Sequence, residues 1–147
     1  MNVEEEAMKS FHATINIKAP QETIWKLLTD AASFPVWEPG VIRIEGKIAP
    51  GEKIVAYNKI SPDRAFPAKV TEFVPGQRMV WTGGMPFGLF TGVRTFTLLS
   101  NGHDSFDFTL REEFSGPLLG LIGRTIPDMT RSFQEAVAGL KARAEQR

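Results

Sequence analysis

The chain has 147 residues, 42% of them hydrophobic, enough to build one domain around a sizeable core, so a disordered tail and a collagen-like fibre are excluded. Its 17 Lys and Arg balance its 17 Asp and Glu, so no net field draws it to nucleic acid or anionic lipid, and no nucleic-acid partner is expected. With no cysteine and only two histidines, His12 and His103, composition argues against disulfides, thiol catalysis and a metal centre; neither a metal nor a cofactor is expected.

Residues 1–6 are Met-Asn-Val-Glu-Glu-Glu, without the basic and apolar regions of a secretory signal. The longest apolar run, from Pro117 to Gly123, is far below the roughly 18 to 20 residues that cross a bilayer. The expectation is a cytoplasmic protein without stable membrane insertion, monomeric or homodimeric. No repeat or Pro/Ser linker divides the chain, so residues 1–9 read as an N-terminal extension and residues 10–147 as a single domain.

Along residues 10–18, Phe11, Ala13, Ile15 and Ile17 alternate with His12, Thr14, Asn16 and Lys18, the period of a half-buried strand. Proline at the first helical position, Pro20, then opens a helix to about Thr29, with Ile24, Trp25, Leu27, Leu28 and Ala31 at helical spacing. Asp30 caps a short turn over 31–33. Pro35 is expected to stop that turn, because proline disfavours helical geometry in the residue before it. After Pro39-Gly40 come strands over 41–48, 53–60, 65–74 and 78–82, parted by Pro50-Gly51, Ser61-Pro62-Asp63 and Pro75-Gly76 in the rhythm of an antiparallel meander.

Two further strands, 92–100 and 105–114, flank Asn101-Gly102, a strong hairpin signal. The last element is expected to start at Thr125-Ile126-Pro127-Asp128, a capping-box-like sequence, and to run for about 20 residues. It places Met129, Phe133, Ala136, Val137, Leu140 and Ala144 on one face, with Lys141, Arg143 and Arg147 near the negative end of its dipole. These elements bury their apolar faces together when the sheet curls around the long helix. The predicted fold is therefore α+β: a helix-grip, with a seven-stranded curved antiparallel sheet, two short helices after the first strand and a long C-terminal helix. Curvature of this kind favours an apolar ligand cavity between sheet and helix.

Several segments in this order carry a resemblance: Ala19-Pro20-x-x-x-Ile24-Trp25-x-Leu27-Leu28-Thr29-Asp30, Phe34-Pro35-x-Trp37, Thr71-Glu72-x-x-Pro75-Gly76-x-x-Met79-Val80-Trp81 and Glu112-x-Phe114-x-Gly116. Together, over about residues 10 to 145, they resemble the START-like, or SRPBCC, superfamily, whose Bet v 1-like helix-grip domains include the bacterial polyketide cyclase/dehydrase-like and lipid-transport-like members. The resemblance implies a deep hydrophobic cavity but no single reaction, because members include carriers, cyclases and co-chaperones.

The hairpin supplies the sharpest candidate site. If Leu98 faces Phe108 across Asn101-Gly102, the same register sets Arg94 opposite Glu112 on the face that carries Phe96 and Phe114. A bidentate Arg94 and Glu112 pair there would be stable and would orient a ligand. Trp37, Trp81, Phe96, Phe108 and Phe114, with Met129 and Phe133 of the long helix, are the expected ligand-lining residues. Apolar residues on two glycine-rich connections suggest a gate: Met85, Phe87 and Phe90 on one, Leu118, Leu119 and Ile122 on the other.

No nucleophile elbow, phosphate loop or dinucleotide fingerprint is present. His12 and His103 read as surface residues, which leaves Tyr57 and Glu112 as acid-base candidates near the cavity. The leading expectation is binding of a small hydrophobic or aromatic ligand, lipid- or polyketide-like. A cyclase or dehydratase using Glu112, and a co-chaperone-like module docking through its apolar loops, remain as alternatives.

Overall fold

The computed structural model describes residues 8–146. The acidic residues 1–6 and Arg147 lie outside the described residues. The alternation around Phe11 to Ile17 forms β1 (Met8–Ile17), which begins two residues earlier than its hydrophobic pattern does. Helix α1 (Gln21–Thr29) buries Ile24 and Leu28, one turn apart, and sets Trp25 edge-on against Phe73 at 5.4 Å. Asp30 closes the next turn (Ala31–Ser33): its carboxylate accepts from the Ala32 N–H at 3.1 Å and the Ser33 hydroxyl at 2.8 Å.

Pro35 does not stop the chain there. It sits in the first turn of a second short helix, α2 (Phe34–Trp37), where no intrahelical acceptor exists for the N–H that proline lacks. Phe34 takes helical geometry despite the proline after it, and α2 thereby buries both Phe34 and Trp37.

The remaining strands are β2 (Val41–Gly46), β3 (Lys53–Asn58), β4 (Ser61–Val74), β5 (Arg78–Gly84), β6 (Thr91–Ser100) and β7 (Phe106–Ser115). They form one antiparallel sheet in the order β1-β7-β6-β5-β4-β3-β2. β4 starts at Ser61 rather than 65, because Ser61 already pairs with Asn58 and narrows the β3–β4 turn to Lys59 and Ile60.

The connection after β7 contains helix α3 (Leu119–Ile122) and a 3-10 turn (Gly123–Thr125) before the C-terminal helix α4 (Thr130–Ala144). Helix α4 thus has 15 residues and begins five later than the capping-box reading placed it. The Thr125 hydroxyl donates back to the Ile122 carbonyl at 2.7 Å, while the Asp128 carboxylate accepts the Thr130 N–H at 3.0 Å. Phe133, Ala136, Val137, Leu140 and Ala144 of α4 are buried on the sheet. At its far end Glu145 accepts from the Lys18 backbone N–H and from Lys141, and Lys141 also donates to the Asn16 carbonyl. These bonds clamp the helix terminus to the end of β1. Among the described residues no helix is long and apolar enough to cross a membrane.

Candidate functional site

The hairpin takes the register supposed for it, across a five-residue connection, 101–105: Leu98 pairs with Phe108, and Arg94 pairs with Glu112. Strand alternation then sends both charged side chains to the inner face, between Phe96 and Leu110 on one side and Phe114 on the other. Arg94 Nη2 donates to Glu112 Oε2 at 2.8 Å, with 21% and 14% of the two side chains exposed. This single bond replaces the expected two-bond fork and, among the described residues, is the only hydrogen bond either side chain makes.

Burial by itself disfavours the Arg94 charge. The Glu112 carboxylate, through charge and hydrogen bond, and the more distant charge of Glu38 outweigh it and raise the Arg94 pKa above the ordinary arginine value.

Aromatic rings frame this pair. The Arg94 guanidinium carbon lies 5.4 Å from the Phe133 ring centroid, so the pair bridges sheet and α4. Phe11 meets Phe114 and Phe133 edge-on at 6.5 and 6.4 Å, and Phe90 stacks on Phe114 at 5.7 Å. Deeper in, Phe34 packs on Trp37 at 4.8 Å and Trp81 at 5.4 Å, and Trp81 packs on Phe96 at 4.7 Å. Trp37 Nε1 donates to the Leu27 carbonyl at 3.2 Å. Trp81 Nε1 is buried and has no hydrogen-bond partner, a deficit worth about 1 to 3 kcal/mol in an apolar setting.

The structure thus gathers Arg94, Glu112, Phe114 and Phe133 at one end of the inner face, with Trp81, Phe96 and Trp37 behind them. Met129, just before α4, is partly buried against the core. Phe108 is fully buried four residues from Glu112 along β7, about 13 Å away, and is not brought to the pair. Two clefts, of about 370 and 620 Å3, open around the C-terminal end of α4: one is lined by Lys18, Thr23 and Glu145 among others, the second by Thr23, Lys26 and Arg143. Neither reaches Arg94 or Glu112. Phe34, Trp37, Trp81 and Phe96, all at or below 5% exposure, occupy the interior where an open cavity was expected.

The two connections proposed as a gate are joined to each other. The Leu118 N–H donates to the Leu89 carbonyl at 3.0 Å, and Gly116, at φ +114°, permits the approach, since a Cβ there would meet that carbonyl oxygen at 2.7 Å. Met85 is exposed, and Phe87 is 98% exposed on a left-handed backbone, φ +59°. Phe90, Leu118 and Ile122 are half-buried, and Leu119 is buried in the core.

Tyr57 is not at the site. Ile54 and Ala56 take the inner positions of β3, so Tyr57 faces outward beneath the Arg43 guanidinium at 3.8 Å. His12 is exposed on the outer face, and His103 is 97% exposed beside Asp104. No group of three metal-ligating side chains occurs among the described residues. Sequence reasoning passed over Phe11, Phe34 and Glu38. It also passed over Gly92, whose place in the inner-face alternation with Arg94 and Phe96 is a legible gap in the pattern.

A family model for polyketide cyclase/dehydrase and lipid transport matches residues 8–145. No curated protein matches the chain. Among solved structures, the fold is similar to a hypothetical protein of Helicobacter pylori at 15% identity and TM-score 0.78, covering 97% of this chain and 92% of that one. It is similar to an aromatase/cyclase from a Streptomyces species at 13% identity and TM-score 0.72, covering 94% of each chain. A START superfamily protein from Mycobacterium smegmatis matches at 16% identity and TM-score 0.68, covering 95% of this chain and 98% of that one.

Proposed function

Since the chain belongs to the polyketide cyclase/dehydrase and lipid transport family, we propose that it binds a small hydrophobic or aromatic ligand between the curved sheet and α4, oriented by Arg94 and Glu112. The observation that carries this reading is a charged pair set on an otherwise apolar inner face and joined by one hydrogen bond. Such a pair is costly beside apolar surface, and its unused polar capacity suits a partly polar guest. Burial of the guest supplies the affinity, about 25 cal/mol per Å2 of apolar surface, and the pair supplies direction. The aromatic interior is closed in this state, so entry requires the linked 85–90 and 116–126 connections to part.

Native mass spectrometry of the purified chain, read beside an organic extract of the denatured protein, tests the reading. A non-covalent adduct that is lost on unfolding, and that Arg94→Ala retains poorly while staying folded, supports it. Unchanged retention in folded Arg94→Ala removes that residue from the site.

One observation favours a second reading, an acid-base role for Glu112 in a cyclase- or dehydratase-type reaction. Its Oε1 accepts no hydrogen bond among the described residues, and the side chain reaches solvent. Glu112→Gln separates the two: loss of turnover with binding intact indicates the enzyme, while retained turnover removes Glu112 from the chemistry.

A further inference from the structure

The inner face of β1 carries one charge where its alternation calls for an apolar side chain. Phe11, Ala13, Ile15 and Ile17 take the inner positions, and Lys9, which pairs with Phe114, continues their phase. The Lys9 ammonium lies 5.6 Å from the Phe11 ring centroid and donates to two backbone carbonyls of the connection before α4, those of Gly123 and Ile126, at 3.2 Å each. A lysine fixed at its tip gives up much of its rotamer freedom, so this placement calls for a reason.

Those two bonds are a large share of what holds the connection. Among the described residues, three hydrogen bonds join 116–126 to the rest of the chain: the two from Lys9, and the one from the Leu118 N–H to the Leu89 carbonyl. Its other hydrogen bonds are internal, such as those from the Ile122 N–H to the Leu118 carbonyl at 2.9 Å and from the Ile126 N–H to the Gly123 carbonyl at 3.2 Å. Of its side chains only Leu119 is buried, and Leu121 is 71% exposed. Few buried contacts and few bonds to the body of the domain mark a segment that opens before the rest of the fold does. Both ends are fixed, since Gly116 follows directly on β7 and Asp128 caps the start of α4.

We propose that Lys9 is a latch, and that residues 116–126 form a strap that opens as one unit over the Phe114 end of the inner face when the latch releases. Lys9 stands beside Phe114, in the row next to that of Phe11, Glu112 and Arg94, so the carbonyls it holds lie over that end of the ligand-facing space. This rests on the ligand-binding reading above and deepens it, by naming which of the two linked connections moves and what restrains it.

Residue-resolved amide exchange on the full chain tests the latch. Lys9→Met keeps an aliphatic stem against Phe11 and removes the charged donor. Exchange of the Leu118, Ile122 and Ile126 N–H groups should then quicken together by about tenfold, the scale of one charge-assisted hydrogen bond, while the Leu140 N–H in α4 stays slow. Faster exchange at Ile126 alone would overturn the strap, because a merely local contact loosens only the turn that Lys9 touches. Should Lys9→Met fail to fold, the parent protein decides: the same three N–H groups should share one opening free energy, lower than that of the α4 interior, and unequal values would overturn the strap. Uptake of the apolar dye Nile red in stopped flow tests the gate, and its rate should rise in Lys9→Met by the same factor as the exchange. Unchanged uptake with the strap released would overturn the gate and leave the ligand-binding reading standing. A dye that enters neither protein would overturn both.

Discussion

The backbone carbonyl of Trp37 rests directly on Gly139, so that α2 and α4 touch where α4 has no side chain. A Cβ at Gly139 would overlap the Trp37 carbonyl oxygen. This contact brings Phe34 and Trp37 down onto the aromatic interior, and it connects one glycine of a helix to the closure of the ligand-facing space. Gly139→Ala should gain helix propensity and still lose stability by about 2 kcal/mol, because α2 must lift from α4. Gly120→Ala, where nothing lies within 4 Å, is the control and should be neutral or stabilising by up to about 1 kcal/mol. Urea unfolding of both variants checks this; equal effects would show that the contact does not constrain α2.

The inner-face ion pair has a measurable coupling. Arg94→Met strands the Glu112 carboxylate on an apolar face and should cost about 1 to 3 kcal/mol, moderated by the residual exposure of both side chains. Arg94→Met combined with Glu112→Leu should recover most of that loss. A double-mutant cycle by chemical denaturation reads the coupling, and strictly additive losses would show that the pair contributes nothing as a pair.

Glu145 gives the C-terminal clamp a pH dependence. Hydrogen bonding from Lys141 and then from the Lys18 N–H holds its carboxyl below the ordinary glutamate range, with the Lys141 and Lys18 charges acting in the same direction. A depressed folded pKa contributes stability that is present above the unfolded pKa and is lost as pH falls through the folded value. Glu145→Gln should therefore lower stability at pH 7 by no more than about 1 kcal/mol, given that 31% of the side chain faces water. The difference from the parent should begin to shrink as pH falls below the ordinary glutamate value, about 4.3, and be gone only once pH is below the depressed folded pKa. A deficit that persists unchanged into acid would assign it to packing.

Phe87 holds a left-handed backbone conformation that L side chains adopt at a cost of roughly 1 to 2 kcal/mol, and its 98% exposure means that almost no packing repays it. Phe87→Gly should raise the melting temperature, with a net gain of about 0.5 to 1 kcal/mol after the entropy of glycine is counted. A lowered melting temperature would indicate that the aromatic ring itself supports the connection.

Local chemistry was readable without a fold. Period-two alternation located the strands and Asn101-Gly102 marked the β6–β7 connection, but Arg94 opposite Glu112 followed only from supposing that Leu98 faces Phe108, because the connection is five residues, 101–105, and not the two-residue turn that Asn-Gly alone would set. The overall helix-grip arrangement followed from the order of elements, since a curved sheet around one long helix buries all their apolar faces.

Other features depended on partners distant in sequence. Pro35 is compatible with both ending a turn and opening a helix, and burial of Phe34 and Trp37 selected the second. Tyr57 faces outward because Ile54 and Ala56 claim the core side of β3, and one position of strand phase separates the two faces. Helix α4 starts at Thr130, because the 3-10 turn takes Thr125, and it is Asp128 whose carboxylate accepts the first helical N–H. Trp81 stands beside Arg94 through the pairing of β5 with β6 across a connection that carries no simple turn signal. The aromatic side chains are visible in the sequence, but their filling of the space between sheet and helix depends on how closely α2 approaches α4. That distance is decided at Gly139, where two backbones meet.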